Sequence, residues 1–348
     1  MDPRFETRRQ EMLDSAVCPP DLAAEVLPRL DAFLRPFVHS LTEPEQHTHT
    51  REYVRGLVSS LASKTGEGIA DRHDRGRQGL QKFLGQVPWD HKPLIATLAT
   101  QVGRQIGEPD AVLVFDPSAF PKKGPESVGV ARQWCGRLGK TDNCQVGVFL
   151  GYVSRQDHTL VDFRLYLPKE WTSDRTRCRE AGVPKRTTFH TRHELALEML
   201  AGHGATLPHG GIGGDDETGR PASFRRELRE KRERYLLAVP SDTPIRDLEV
   251  DPPAYCGRGR PPDRPFVRVA RWCAALPATA WTRIGVRDGT KGPLEVEAVQ
   301  RRVTAELGTA AGPEECLVRT LSLTDHPPTL QVGIAGLDKK PRRSSPPG

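Results

Sequence analysis

The chain has 348 residues, enough for two or three domains, of which 36% are hydrophobic and 28% charged. No apolar run approaches the ~20 residues that a membrane span needs, and the charged N-terminus does not resemble a signal peptide, so we expect neither a membrane protein nor a secreted one. Lys and Arg number 51 against 45 Asp and Glu, a net charge of +6 that suits a polyanionic partner. The seven cysteines form no C-x-x-C pair, which favours a reduced, cytoplasmic protein over a zinc or disulfide scaffold.

The N-terminal part of the chain, residues 1–108, has the pattern of helices. Apolar residues recur every four positions from Leu94 to Ile106, the spacing of one helix face. Pro28 and Pro36 interrupt the earlier part, so we expect several short helices there. We interpret this region as an N-terminal helical, DNA-binding domain.

From Ala111 onwards the pattern changes to alternating strands and helices. The first strand is a short apolar run with β-branched residues that ends at Asp116. In the strand at 161–167, Val161, Phe163 and Leu165 alternate with polar residues, so we expect one face of that strand to be exposed to water. The expected elements after Asp116 are, in order, strands 144–153 and 161–167, helix 194–200, a short Gly-rich strand at 210–214, helix 223–233 and strand 235–239.

This order predicts an α/β fold with a mixed sheet over residues 109–240. RNase H-like domains have this order of elements, and other α/β folds fit it too. Residues 241–335 are rich in Pro, Gly and Arg with short β-like pieces, and the composition of residues 336–348 predicts a disordered tail.

Two aspartates follow expected strands and could act together. Asp116 and Asp215 are 99 residues apart, each at a strand end, where side chains leave the core but stay rigidly held. Carboxylates, waters and phosphate oxygens are the ligands that Mg²⁺ prefers, and two such ions can activate an attacking oxygen and stabilise a leaving one. The alternative is that both are ordinary turn residues, since Asp is common after strands.

Three segments carry a resemblance to a known family. They are AVLVFDPSAFPKKGPESVGVARQWCGRLGKTDNCQVGVFLG at 111–151, VDFRLYLPKEWTSDRTRCREAGVP at 161–184 and GGDDETGRPASFRRELREKRERYLLAVP at 213–240. Together they resemble the insertion-sequence DDE transposases of the seven-zero-one lineage, relatives of the type-four group. The resemblance runs from the N-terminal helices to about residue 323, with the motifs in the family's order and roughly its spacing.

The resemblance implies an RNase H-like fold and DNA cleavage and strand transfer at element ends, dependent on Mg²⁺ or Mn²⁺. Asp116 matches the first catalytic acid, which precedes a Lys-Lys-Gly loop. Asp215 matches the second, in a G-D-x-x-x-G stretch before a Phe-Arg helix, with Asp216 as the alternative register. Both residues are then metal ligands. The expected partners are double-stranded DNA at terminal inverted repeats and, in a homo-oligomer whose size the sequence leaves open, further copies of the chain. The expected location is the cytoplasm, in association with the nucleoid.

The third catalytic acid of the family has no match in this chain. It is a Glu in a Trp-Arg-Ile-Glu helix that follows a β-rich insertion, and residues 241–335 correspond to that insertion. Glu217 lies only two residues from Asp215 and cannot replace it. We therefore expect a C-terminally truncated copy, which is either a transposase or a catalytically inactive DNA-binding remnant of one. An RNase H-like repair nuclease fits less well, because it needs neither the helical region nor the insertion.

Basic residues around Asp116 are candidate contacts to DNA phosphates. We expect them to form a basic loop system that also contains Trp134, and they comprise Lys122, Lys123, Arg132, Arg137 and Lys140. Arg258 and Arg260 stand in a Gly-Arg-Gly-Arg-Pro segment that resembles an AT-hook core; the alternative is an Arg-rich surface turn. Trp171 fits either a core position or a DNA contact.

Overall fold

The computed structural model describes residues 20–73, 77–87, 89–289, 292–305, 315–322 and 330–336. The chain forms two compact units, Met1–Gln101 and Val102–Gly348. Among the helices described, none is long and apolar enough to cross a membrane.

The first unit is helical, as its sequence pattern predicts. Its helices are α1 (Pro20–His39), α2 (Pro44–Leu57), α3 (Gly66–Arg72) and α4 (Arg77–Gly85), and the division between the units falls within α5 (Lys92–Gln105). The expectation of several short helices around Pro28 and Pro36 was wrong, because α1 continues through both prolines. A proline inside a helix removes one backbone hydrogen bond, and here buried Leu34 and Val38 keep the last turns packed despite that loss.

The second unit contains a mixed sheet with RNase H-like strand order, which confirms the predicted fold class. Its central strands are β1 (Val112–Pro121), β3 (Lys140–Val153), β4 (His158–Tyr166), β5 (Gly211–Gly214) and β6 (Tyr235–Ala238). Their spatial order is β4–β3–β1–β5–β6. β1 pairs antiparallel with β3 and parallel with β5, which pairs parallel with β6. The helices of this part are α6 (Lys169–Ser173), α7 (Arg175–Glu180), α8 (Arg192–His203), α9 (Asp216–Gly219) and α10 (Ala222–Glu230).

Two local features differ from the sequence expectation. Residues expected in a basic loop form a short strand, β2 (Ala131–Cys135), which pairs antiparallel with the first half of β3. The faces of β4 are also reversed, since Asp162 is buried whereas Phe163 is 51% exposed. The cause is a bulge, because Asp162 and Leu160 oppose successive residues of β3 and Val161 has no partner. A bulge puts two successive residues on one face and turns the rest of the strand over.

Residues beyond β6 extend the same sheet. They form β7 (Pro244–Asp247), β8 (Val267–Arg268), α11 (Val269–Ala274), β9 (Thr282–Gly289), β10 (Gly292–Thr304), β11 (Glu315–Ser322) and β12 (Leu330–Gly336). β12 pairs with β6, and the order continues through β11, β10 and β7 to β8, with β9 also on β10. The domain boundaries expected at 108, 240 and 335 stay predictions, and the tail expected to be disordered lies, from residue 337, outside the described residues.

Candidate functional site

The structure brings Asp116 and Asp215 together where the β1–β5 ladder ends. The expectation that the first strand ends at Asp116 was wrong, because β1 stays paired with β3 as far as Pro121. Phe115 and Gly214 are partners in the parallel ladder of β1 and β5, so the residues that follow them in each strand leave the ladder side by side. Both carboxylates line a cavity of about 820 Å³, with Ser118, Phe149 and other residues of β1 and β3. Asp216 is not among the residues lining this cavity.

The surroundings of Asp116 disfavour its negative charge. Burial raises the pKa of the carboxyl above its usual value of 3.8, and the negative charge of Asp215 raises it further. A hydrogen bond from the Ser118 hydroxyl to Asp116 Oδ2, 3.1 Å long, acts in the opposite direction. The two carboxylates line one cavity and repel each other, and a divalent cation bound between them would remove this repulsion.

Asp215 is held by the short helix that follows it. Its Oδ1 accepts a hydrogen bond from the backbone N–H of Thr218 at 2.9 Å, which makes Asp215 the N-cap of α9. The helix packs directly on β6: a Cβ added at Gly219 would lie 1.9 Å from the carbonyl oxygen of Ala238. A side chain at position 219 would therefore collide with β6, which explains on steric grounds why the G-D-x-x-x-G stretch ends in glycine.

Phe224 and Arg225 of α10 pack against β1 and against the segment that carries Asp215. Arg225 is 2% exposed, and its Nη1 donates a 2.6 Å hydrogen bond to the carbonyl oxygen of Gly219. Phe224 is 1% exposed and meets Phe115, the residue before Asp116, edge-on at 6.5 Å. These two residues, which were matched by resemblance alone, lie beneath the site as supports.

Arg192 and His193, in the first turn of α8, were missed by the sequence analysis. Arg192 Nη1 pairs with Glu217 Oε1, and its Nη2 donates to Gln133 Oε1 at 3.1 Å. His193 Nε2 donates to the backbone carbonyl of Glu217 at 3.1 Å. The only local sequence signal is the Thr191–Glu194 capping box, which marks where α8 begins and does not indicate its partners.

The five basic residues expected near Asp116 are all exposed, but they are not equally close to the carboxylates. Arg137 lines the cavity that contains Asp116, whereas Lys140 pairs with Asp142 at 3.0 Å. Arg132 is exposed on β2. Lys122 and Lys123 follow β1 in a loop whose backbone is fixed, since Asn143 Nδ2 donates to the carbonyls of Lys122 (2.8 Å) and Gly124 (2.9 Å).

The alternatives left open for Trp171 are resolved by its burial. Its side chain is 1% exposed, and its Nε1 donates to the carbonyl oxygen of Val130 at 2.7 Å. The guanidinium of Arg177 lies 3.7 Å over the ring and also donates to the carbonyl of Pro125 at 2.7 Å. Trp171 is thus a core residue that holds the loop after β1, while Trp134 on β2 is 54% exposed.

The segment resembling an AT-hook forms turns. Arg258 and Arg260 are exposed, and the glycines beside Arg258 have positive φ angles, 79° at Gly257 and 78° at Gly259. The hydroxyl of Tyr255 donates to the carbonyl of Gly259 at 2.8 Å and closes the turn. This conformation is that of an Arg-rich surface turn, and any role of the two arginines in DNA binding stays a prediction.

Within the part of the chain that the structure describes, no third metal-binding side chain joins the two aspartates. Glu217 is directed to Arg192 instead. The sheet face that carries Asp116 also carries exposed apolar side chains: Leu160 is 61% exposed and Phe163 is 51% exposed. Apolar residues exposed together in this way indicate a contact surface.

Comparison with known proteins agrees with this geometry. Residues 36–293, which include both aspartates, match the family described as DDE superfamily endonuclease. A probable transposase for insertion sequence element IS701 from Microchaete diplosiphon is 37% identical over 119 residues. That match spans 33% of this chain and only 30% of the length of the relative. The family match covers more than half of this chain, and the chain therefore belongs to the DDE superfamily of endonucleases.

Proposed function

We propose that this protein is the transposase of an insertion sequence, a DNA endonuclease and strand transferase that acts at the ends of its element. The observation that carries the proposal is that Asp116 and Asp215 directly follow the last paired residues of the parallel β1–β5 ladder and line one cavity. The similarity to the IS701 relative supports the insertion-sequence assignment. The expected substrate is double-stranded DNA at terminal inverted repeats, bound by a homo-oligomer of the chain.

The residues at the cavity fit a divalent metal ion. Divalent metals are general to the DDE superfamily, and Mg²⁺ or Mn²⁺ at this site would activate an attacking oxygen and stabilise the leaving one. Asp116 and Asp215 supply hard oxygen ligands of the kind these ions prefer. Burial and, to a smaller extent, the negative charge of Asp215 raise the pKa of Asp116, and a bound cation would offset both effects. Asp215 is proposed as the second ligand in preference to Asp216, which is exposed outside the shared cavity.

The basic residues around the cavity supply the DNA-binding surface in this proposal. Arg137, at the cavity wall, would contact a DNA phosphate near the two aspartates. The fixed loop of Lys122 and Lys123 would hold the neighbouring backbone, because a preorganised loop loses little entropy on binding. Arg132 and Lys140 extend the basic surface along the β2–β3 hairpin.

A second candidate function is a DNA-binding remnant without nuclease activity. It is favoured by the absence of a third acidic ligand among the described residues of the site. A third carboxylate would help fix a metal ion and the line of attack, and a misplacement of about 1 Å already costs ~100-fold in rate. We propose for this second function that the site at Asp116 and Asp215 binds DNA but does not cleave it.

One experiment separates these functions. Purified protein is mixed with Mn²⁺ and a plasmid carrying the DNA that flanks its gene, and binding and nicking are both measured. We expect salt-dependent binding with a slope of log affinity against log salt steeper than about −3, because each neutralised phosphate contributes roughly −0.9. Failure to bind at low salt would contradict both functions. Specific nicking that is lost in Asp116→Asn would refute the remnant and favour a complete transposase.

A further inference from the structure

The helix that follows Asp215 is too short to be stable by itself. α9 has four residues, fewer than the number at which helix formation becomes favourable in isolation. Contacts from other elements must therefore hold it, and with it the carboxylate at its N-cap. Arg225 holds its C-terminal end through the carbonyl of Gly219. The first turn of α8 holds its middle, because both Arg192 and His193 bind Glu217.

Arg192 joins three elements through one guanidinium. One nitrogen pairs with Glu217 of α9 and the other donates to Gln133 of β2, while the guanidinium carbon Cζ lies over the ring of Tyr166 of β4, 4.8 Å from the ring centre. Its side chain is 17% exposed, so water competes weakly with these contacts. A planar fork with fixed donor directions can satisfy two acceptors and a ring at once, which a lysine ammonium cannot do.

The same contact controls charge near the metal ligands. Glu217 lies two residues beyond Asp215 along the chain and lines a cavity together with Asp215 and Arg192. An unpaired Glu217 would add a third negative charge to this end of the sheet and could turn towards a bound cation in place of Asp215. Pairing with Arg192 neutralises Glu217 and fixes its direction.

We propose that Arg192 is a positioning residue for the metal ligand Asp215: it ties the segment after β5 to β2 and keeps Glu217 away from the metal ion. The inference rests on the proposed metal site. Removing a residue that orients a metal ligand without touching the metal typically lowers metal affinity about 10–100-fold. We expect a loss of that size when the contacts of Arg192 are removed.

The test measures Mn²⁺ affinity of the full chain by paramagnetic resonance, with circular dichroism as a check on folding. Arg192→Gln should weaken Mn²⁺ binding about 10–100-fold. Arg192→Lys should weaken it as much, because it keeps the charge but not the fork. Arg179→Gln is the matched control, since Arg179 is an exposed arginine on α7, outside the segment that carries Asp215. It should leave the affinity near that of the parent.

Glu217→Gln supplies a second variant that breaks the same contact from the other side. Its loss and that of Arg192→Gln should not add in the double variant, because both act through one pair. Additive losses, an unchanged affinity in Arg192→Gln or full binding by Arg192→Lys would each overturn the positioning role. Mn²⁺ binding by the parent that is indifferent to Asp116→Asn would instead refute the proposed function.

Discussion

The close contact between α9 and β6 predicts that Gly219→Ala damages the site from outside it. The added methyl would lie 1.9 Å from the carbonyl oxygen of Ala238, about 1.5 Å inside an ordinary van der Waals contact of 3.4 Å. The acceptor is backbone in a strand, so it cannot turn aside, and α9 must move away from β6. Because Asp215 caps α9, its carboxylate should move by roughly 1 Å, a displacement that typically costs ~100-fold in rate.

The expected change in stability of Gly219→Ala has two opposing contributions, the higher helix propensity of alanine and the steric overlap of its methyl group with β6. Gly219 needs no positive φ, and Gly→Ala within a helix is favourable by about 0.5–1 kcal/mol, whereas overpacking costs about 1–3 kcal/mol. We therefore expect a net loss of stability in urea and a weaker stabilisation by Mn²⁺. Gly202→Ala in α8 is the control, since its added methyl meets nothing within 4 Å, and it should be neutral or stabilising. If Gly219→Ala unfolds and responds to Mn²⁺ as Gly202→Ala does, the steric account of the motif is wrong.

Two further predictions concern stability alone. The folded state raises the pKa of Asp116, so it binds the proton more tightly than the unfolded state and loses stability as pH rises above 3.8. Without divalent metal, Asp116→Asn should therefore be more stable than the parent at pH 7, and the difference in stability should shrink towards pH 3.8. Urea denaturation across this pH range measures the difference. Equal stability of the two proteins at all pH values would contradict the prediction. Trp171→Ala should cost about 3–5 kcal/mol in the same assay, while Trp134→Ala, at an exposed position, should stay within about 0.5 kcal/mol. Similar losses in the two variants would show that Trp171 is not the core residue described.

The positions of the two aspartates could be predicted from sequence because each follows a local signal. An apolar, β-branched run precedes Asp116, and a glycine-rich strand precedes Asp215. The parallel pairing that brings them together follows from the order of the elements, which is why the fold class was predicted correctly.

The features that were missed depend on contacts between distant residues. The alternation in β4 predicts a strand with two unlike faces, but the bulge at Val161 and the hydrogen bond of buried Asp162 to His203 (2.9 Å) decide which face is inside. The partners of Arg192 are 25 and 59 residues away. No periodicity within a single segment encodes such pairs, and the hydrogen bonds that hold β2 to β3 are equally non-local.

The central claim is that Asp116 and Asp215 together bind a divalent metal. Titration of the parent, Asp116→Asn, Asp215→Asn and Asp216→Asn with Mn²⁺, followed by paramagnetic resonance, tests it most directly. We expect binding to be lost in Asp116→Asn and Asp215→Asn and kept in Asp216→Asn, whose side chain is exposed outside the shared cavity. Binding that survives Asp116→Asn, or that is lost in Asp216→Asn but not in Asp215→Asn, would contradict it.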